Sequence, residues 1–392
     1  MQTMRHKIFI IIFFLVVNHL VIAQESIFGT NDYIEYQVGN LPIILTASHG
    51  GQLTPEEIPD RTCNNPTTVT DAFTVEIAEE IKNSLYEKTG CYPHVIICHL
   101  KRTKIDCNRN IEDGACGNEE AEIAWNEFHN FINEAQNTAN DQYNSNTFFI
   151  DIHGHGKPEQ RIELGYLLFG SELENDDETL NSLEFVNFSS IQDLVATNIN
   201  NFSHAELLRG DYALGTLLGD RNYPSVPSQQ IPHPGGLPYF SGGYITANHT
   251  SYAEDNETNG VQLELNFQGI RDNASNRVAF AKEFSDVILS FLEKHTTVDF
   301  GGCEPSASTK NIAMTTIQIF PNPAEANNKI IVKGLENGEE TYQLFDAQGR
   351  IMSGGEIINS EIILTSSTKG IYTLIISNAL SGRIHRKKIV VY

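Results

Sequence analysis

The chain has 392 residues, 40% of them hydrophobic, which excludes wholesale disorder and leaves room for more than one domain. Its formal net charge is −24 and its pI about 4.8. Such a surface repels phosphate backbones, so nucleic acid is a poor candidate partner.

Residues 1–24 read as a signal peptide. Arg5 and Lys7 give a short basic start, residues 8–17 are an unbroken apolar run, and Val21-Ile22-Ala23 ends in a small residue before Gln24. The run is too short to span a bilayer. No later segment is apolar for 18 residues, so no transmembrane segment is expected in the mature protein. Loss of Arg5 and Lys7 takes the net charge from −24 to −26. Six cysteines follow: Cys63, Cys91, Cys98, Cys107, Cys116 and Cys303. In an oxidising compartment some would pair, and Cys107 and Cys116 are near enough in sequence to close a small loop, but spacing alone fixes no connectivity. The absence of C-x-x-C argues against a zinc–thiolate site.

Residues 25–300 read as one α/β unit. Residues 41–47 form a short apolar strand that runs into Ser48-His49-Gly50-Gly51. Residues 72–85 have helical spacing, with Phe73, Ile77, Ile81 and Leu85 on one stripe and Thr70 or Asp71 as the cap. Residues 94–99 are a buried strand, 123–135 an amphipathic helix, and 147–152 a third strand ending at His153-Gly154-His155-Gly156. A late strand, 261–267, and a long helix, 279–292, complete the unit. Alternating strands and helices predict a mostly parallel or mixed sheet flanked by helices, with its chemistry beyond the carboxyl ends of the strands. Residues 301–314 are polar and aperiodic, a linker. Residues 315–392 alternate over short strands separated by turns, a small all-β sandwich.

A hydrolytic zinc needs three protein ligands and an open position. His49, Asp71 and His153 are the candidates, the two histidines following apolar strands beside glycines that permit close backbone approach. Each has a plainer reading: a hydrogen-bonded strand-end histidine, or an aspartate that only caps a helix. Asp151 stands where it would orient His153. Glu264 is a carboxylate within an apolar strand, either buried as a proton shuttle or facing solvent on the alternating side. Asn108 and Arg109 follow a strand end and offer fork geometry for a substrate carboxylate, with Arg102 upstream. Arg61 lies in a loop that either folds over the site or makes a surface ion pair. His155 either faces the open coordination position, steadies an oxyanion, or belongs to a glycine-rich turn.

Five segments, in order, resemble the N-formylglutamate amidohydrolases, part of a wider group of zinc hydrolases that includes the carboxypeptidase A type. They are Ser48-His49-Gly50-Gly51, Asp71 before a helix, Asp106-Cys107-Asn108-Arg109, Asp151-Ile152-His153 and Gln262-Leu263-Glu264-Leu265-Asn266, spanning roughly residues 35–298. The resemblance implies a zinc exopeptidase-like fold over residues 25–300, Zn2+ as cofactor, His49 and His153 as ligands, Glu264 as general base and Asn108-Arg109 as the substrate clamp. The carboxypeptidase pattern has Glu three residues after the first histidine, where this chain has Gln52. The middle ligand therefore falls to Asp71, with Glu57 and Asp60 as rivals. The expected substrate is a small anionic amide: an N-acyl amino acid, a peptide or a γ-glutamyl compound. A secreted zinc carboxypeptidase and a non-catalytic surface binding protein on the same scaffold are the rival readings.

The C-terminal module resembles the sorting domain of the type IX secretion system. The residues are Ile319-Phe320-Pro321-Asn322-Pro323, residues 342–350, Lys369-Gly370-Ile371-Tyr372 and Lys387-Lys388-Ile389-Val390-Val391. That resemblance implies type IX secretion machinery as a partner, and release or attachment at the cell surface.

Overall fold

The computed structural model describes residues 24–144, 146–300 and most of 318–391. The expected signal peptide, apart from Gln24, and the expected linker lie outside the described residues. The chain divides into two compact units, Met1–Pro305 and Ser306–Tyr392.

The first unit is built on an eight-stranded mixed sheet. Its strands are β1 (Ser26–Phe28), β2 (Ile34–Gln37), β3 (Ile43–Ala47), β4 (His94–Cys98), β5 (Phe148–His155), β6 (Ile162–Gly165), β7 (Ser225–Val226) and β8 (Asn259–Asn266). The order is β1-β2-β4-β3-β5-β8-β6-β7. The central four, β4-β3-β5-β8, are parallel, while β2, β6 and β7 run against them. Helix α1 (Thr74–Thr89) and the helix Ala274–His295 cover one face; α3 (Glu119–Tyr143) covers the other, preceded by the short α2 (Ile111–Ala115).

The alternation of side chains explains where chemistry can sit. On the face under α1, β3, β5 and β8 are apolar throughout: Ile43, Leu45 and Ala47; Phe148, Ile150 and Ile152; Val261, Leu263 and Leu265. The other face begins apolar, with Ile44, Ile96 and Phe149 under α3. Toward the carboxyl ends it turns polar, and Thr46, Asp151, His153, Gln262, Glu264 and Glu163 are all buried there. Buried polar side chains need partners, so that switch marks where a network must form.

Several boundaries differ from those read in the sequence. β5 runs on to His155, so His153 lies inside the strand rather than past its end. Helix α1 starts at Thr74, after Phe73 in a left-handed conformation, and no side chain caps it. Asp71, expected as a possible cap, has its carboxylate drawn elsewhere. Between residues 156 and 258 the chain forms β6, β7 and several short helices that hydrophobic periodicity does not signal. Cys63 is bonded to Cys116, whereas Cys107 is free and buried. Cys107 points into the core beneath α3, so the small Cys107–Cys116 loop does not form. Cys91 is also disulfide-bonded.

The second unit holds a three-stranded antiparallel sheet of Glu361–Ile363, Lys329–Lys333 and Gln318–Phe320. A four-stranded antiparallel sheet joins Ile351–Glu356, Glu340–Phe345, Gly370–Asn378 and Ile384–Val391. Ile330 and Val332 from one sheet share a core with Leu344, Leu374, Ile376 and Ile389 from the other. Alternate residues such as Lys329 and Lys333 face out, as sandwich strands require.

Candidate metal centre

Three distant segments meet at the carboxyl ends of β3 and β5. His49 follows β3, His153 lies in β5, and Asp71 sits in the loop before α1. The loop is pinned by the Asp71 N–H, which donates to the His49 carbonyl at 3.0 Å. Two glycines allow the crowding. A Cβ on Gly50 would meet Thr74 Oγ1 at 2.5 Å, and one on Gly154 would meet the Arg271 guanidinium at 2.3 Å.

The facing atoms are His49 Nδ1, His153 Nδ1 and Asp71 Oδ2. Their separations are 3.1 Å between the two nitrogens, 3.2 Å from His153 to Asp71 and 3.5 Å from His49 to Asp71. All three residues are buried. The remote nitrogens are already committed: His49 Nε2 to Asp106 Oδ1 at 2.6 Å, and His153 Nε2 to Asp151 Oδ2 at 2.8 Å. A carboxylate only accepts, so each Nε2 carries the hydrogen, and in the neutral rings each Nδ1 presents a lone pair. With neutral rings three acceptors thus converge on one point, and either a metal cation or, in its absence, a proton on His153 Nδ1 reconciles them. A tetrahedral ion with bonds of about 2.0–2.1 Å sets its donor atoms roughly 3.3–3.4 Å apart, the spacing found here. The donor set, two imidazoles and a carboxylate, suits zinc.

The surrounding charges favour a cation. Asp71, Asp106 and Asp151 encircle the two imidazoles. Arg102 answers in part, lying 3.1 Å from Asp106 and 3.5 Å from Asp71, with Arg61 3.5 Å from Asp106. Burial opposes ionisation of Asp71, yet hydrogen bonds from His153 and His49 hold its carboxyl well below the usual range. Asp106 is likewise held low against burial by the charge and hydrogen bond of His49, with help from Arg102 and Arg61. Burial opposes charge on His153, but Asp151 and then Asp71 draw it well above the ordinary histidine range. The rival carboxylates lie elsewhere: Glu57 is exposed and accepts from Tyr33 Oη, and exposed Asp60 pairs with Lys104. Gln52 is exposed too and donates to the Gly50 carbonyl.

Glu264 stands beside this cluster, opposite His153 in the β5–β8 register. It is buried, accepts from Gln262 Nε2 at 2.9 Å, and is pushed up to about 7 by burial. A carboxyl poised there exchanges protons readily at neutral pH. Asn108 reaches the same place, its Nδ2 3.5 Å from both His153 Nε2 and Gln262 Oε1, with its Oδ1 accepting from Ile245 N at 2.9 Å.

The remaining candidates are placed differently. Arg109 is exposed, and its guanidinium lies 3.5 Å from the Asn108 carbonyl. Arg102 is engaged by the two carboxylates above. Arg61 is buried and donates to the carbonyls of Arg102, Asp113 and Thr67, so it braces the loop. His155 has both ring nitrogens occupied by main chain, Nε2 at the Arg161 carbonyl and Nδ1 by the Lys157 N–H. Sequence reasoning gave no role to Asp106, Gln262 or Arg271. Arg271 is buried and clamps the carbonyls of Ala72, His155 and Leu265. Its signal was only a lone arginine after a strand. A surface cleft of about 490 Å3, lined by Asp193, Ser251, Glu254 and Glu257 among others, opens near Asn259 at the amino end of β8, the wrong end for this chemistry.

The comparisons bear on the second unit. Residues 318–392 match the secretion system C-terminal sorting domain. No curated protein matches the chain. Matching solved structures include PorZ, described as an essential bacterial surface component of the type-IX secretion system of Porphyromonas gingivalis. It is 18% identical over 22% of this chain and 12% of that one, with a TM-score of 0.18, so the match spans about an eighth of the PorZ chain. Among the described residues no helix is long and apolar enough to cross a membrane. The sorting domain marks the chain for the type IX secretion machinery and for export, to be released or attached at the cell surface.

Proposed function

We propose that the first unit is a zinc-dependent amidohydrolase of the N-formylglutamate amidohydrolase type, cleaving a C–N amide bond next to a carboxylate. The observation that carries the reading is the convergence of His49 Nδ1, His153 Nδ1 and Asp71 Oδ2 on one point, with both Nε2 atoms tied to carboxylates. Zinc held there would polarise a carbonyl and lower the pKa of a water toward neutral. Glu264 accepts a proton from the attacking water and returns it to the departing nitrogen, a task suited to a carboxyl near pKa 7. Gln262 holds the Glu264 carboxylate in place, and Asn108 offers an amide N–H beside it. Asp106 and Asp151 fix the imidazole tautomers.

Metal analysis of the purified chain is expected to find one zinc per molecule. A set of N-acyl amino acids, γ-glutamyl compounds and short peptides should include one that is hydrolysed and protected by chelator. Glu264→Gln should keep the zinc and lose activity by at least about a hundredfold. Absence of stoichiometric metal would remove the reading, and an active Glu264→Gln would remove Glu264 from the chemistry. Release of C-terminal residues from peptides in preference to small N-acyl compounds would point to a carboxypeptidase.

A further inference from the structure

We propose that Arg161 and Glu163 form a subsite for an amino-acid head group, Arg161 taking its carboxylate and Glu163 its N–H donor, on the far side of Glu264 from the metal-binding cluster. This rests on the reading of Glu264 as part of an active site.

The sheet places the residues. His153, Glu264 and Glu163 lie opposite one another on the neighbouring strands β5, β8 and β6. They form a row about 4.8 Å apart per step on the polar face. Arg161 precedes Glu163 by two residues and so belongs to that face. Because β6 runs against β8, Arg161 stands further out than Glu264, at the level of the carboxyl ends of β5 and β8.

The hydrogen bonding there is incomplete. Arg161 is 8% exposed, and among the described residues neither Nε nor Nη2 has a hydrogen-bond partner. Glu163 is fully buried, and its Oε1 also lacks a hydrogen-bond partner among the described residues. Arg161 Nη2 and Glu163 Oε1 stand 3.6 Å apart, too far for a hydrogen bond. The other oxygen, Glu163 Oε2, is well held by Lys157 Nζ at 2.7 Å and the Phe240 N–H at 2.8 Å. Lys157 is itself fixed by the Pro238 carbonyl at 3.0 Å and lies 3.8 Å over the Phe240 ring. Lys157 therefore shares the charge of Glu163, and Arg161 keeps only a long ion pair to Glu163 at 3.6 Å, with hydrogen-bonding capacity to spare. Idle buried donors are costly until an acceptor reaches them.

A ligand that brings a carboxylate to the guanidinium fork and an N–H to Glu163 Oε1 satisfies both groups at once. An amino acid carries those two functions on one carbon. Arg61 and Arg102 hold loops and carboxylates, so neither competes for this role.

The test is calorimetric titration of the full chain with L-glutamate, glutarate and glutaramide, in chelator. Binding then depends on this subsite and not on a metal or on turnover, so its failure is distinct from failure of the hydrolase reading. Glutarate should bind and neutral glutaramide should not, with L-glutamate tighter than glutarate. Arg161→Met should weaken both anions by at least about tenfold, and Arg161→Lys should fall between. Glu163→Gln should abolish the advantage of L-glutamate over glutarate, a change that a purely structural role would not produce. If circular dichroism shows Arg161→Met unfolded, Arg161→Lys and Glu163→Gln decide. Equal affinity for glutarate and glutaramide, or L-glutamate still preferred in Glu163→Gln, would overturn the proposal.

Discussion

At the residue scale the informative pair is a histidine and the carboxylate behind it. An imidazole is a good ligand only when its remote nitrogen is held, because that bond fixes both the tautomer and the ring plane. Asp106 does this for His49 at 2.6 Å and is itself steadied by Arg102 and the Asn108 N–H. Asp106→Asn keeps the shape but removes the charge, and its amide can turn a donor toward Nε2. Zinc affinity is expected to fall about 10–100-fold with the fold intact. Competition with a chromophoric chelator measures this, and circular dichroism checks the fold. An unchanged affinity would mean that His49 is oriented by packing alone.

At the element scale the loop between β3 and α1 carries both His49 and Asp71, and three devices hold it. They are the Cys63–Cys116 disulfide, the Arg61 guanidinium on three carbonyls, and the Asp71–His49 main-chain bond. The disulfide closes a sequence separation of 53 residues. Replacing both cysteines by serine should cost about 2–4 kcal/mol, read as a lower melting temperature, and should weaken metal binding because Asp71 loses its anchorage. Full metal affinity in that variant would assign the anchoring to Arg61 instead. Elements of this unit were legible to differing degrees for physical reasons. β3 and β5 are apolar runs that end in polar clusters and β8 alternates apolar and polar residues, so the strands, and the positions of His49, His153 and Glu264 on or beside them, could be read from the residues. Asp71 obeyed the local signal of a helix cap, but the field of two histidines overrides a cap worth about 1 kcal/mol. β6 and β7 are four and two residues long, too short to show a period, and with β6 went Arg161 and Glu163. Arg102 was a candidate for the substrate clamp and Arg61 for a loop over the site, and sequence cannot show which carboxylates and carbonyls engage them.

For the whole molecule the same burial that builds the site makes the fold sensitive to acid. His94 and His249 are pushed down to about 3 and His129 to about 4, each by burial. His129 and His249 are bonded to each other at 2.7 Å, and His129 also donates to the Cys107 carbonyl, so His129 is satisfied as a neutral ring, while His249 Nδ1 has no hydrogen-bond partner among the described residues. In the unfolded chain these three take up protons near the ordinary 6.5, and in the native state they do not until pH 4 or below. At these three rings the unfolded state therefore binds three more protons, and stability is lost as pH falls below 6.5. Glu264 has the opposite sign: raised from 4.5 to about 7, it binds a proton in the native state first, and so offsets one of the three. For these four groups alone the balance is about two protons, a slope on the order of 3 kcal/mol per pH unit between about pH 4.5 and 6, and His155, His204 and His295, also lowered by burial, act in the same direction. Melting temperatures of the full chain in chelator should accordingly drop from pH 7 to pH 5. His94→Gln should flatten the slope by about one proton, and Glu264→Gln should steepen it by the same amount. A melting temperature independent of pH over that range would mean that water reaches these rings in the native state.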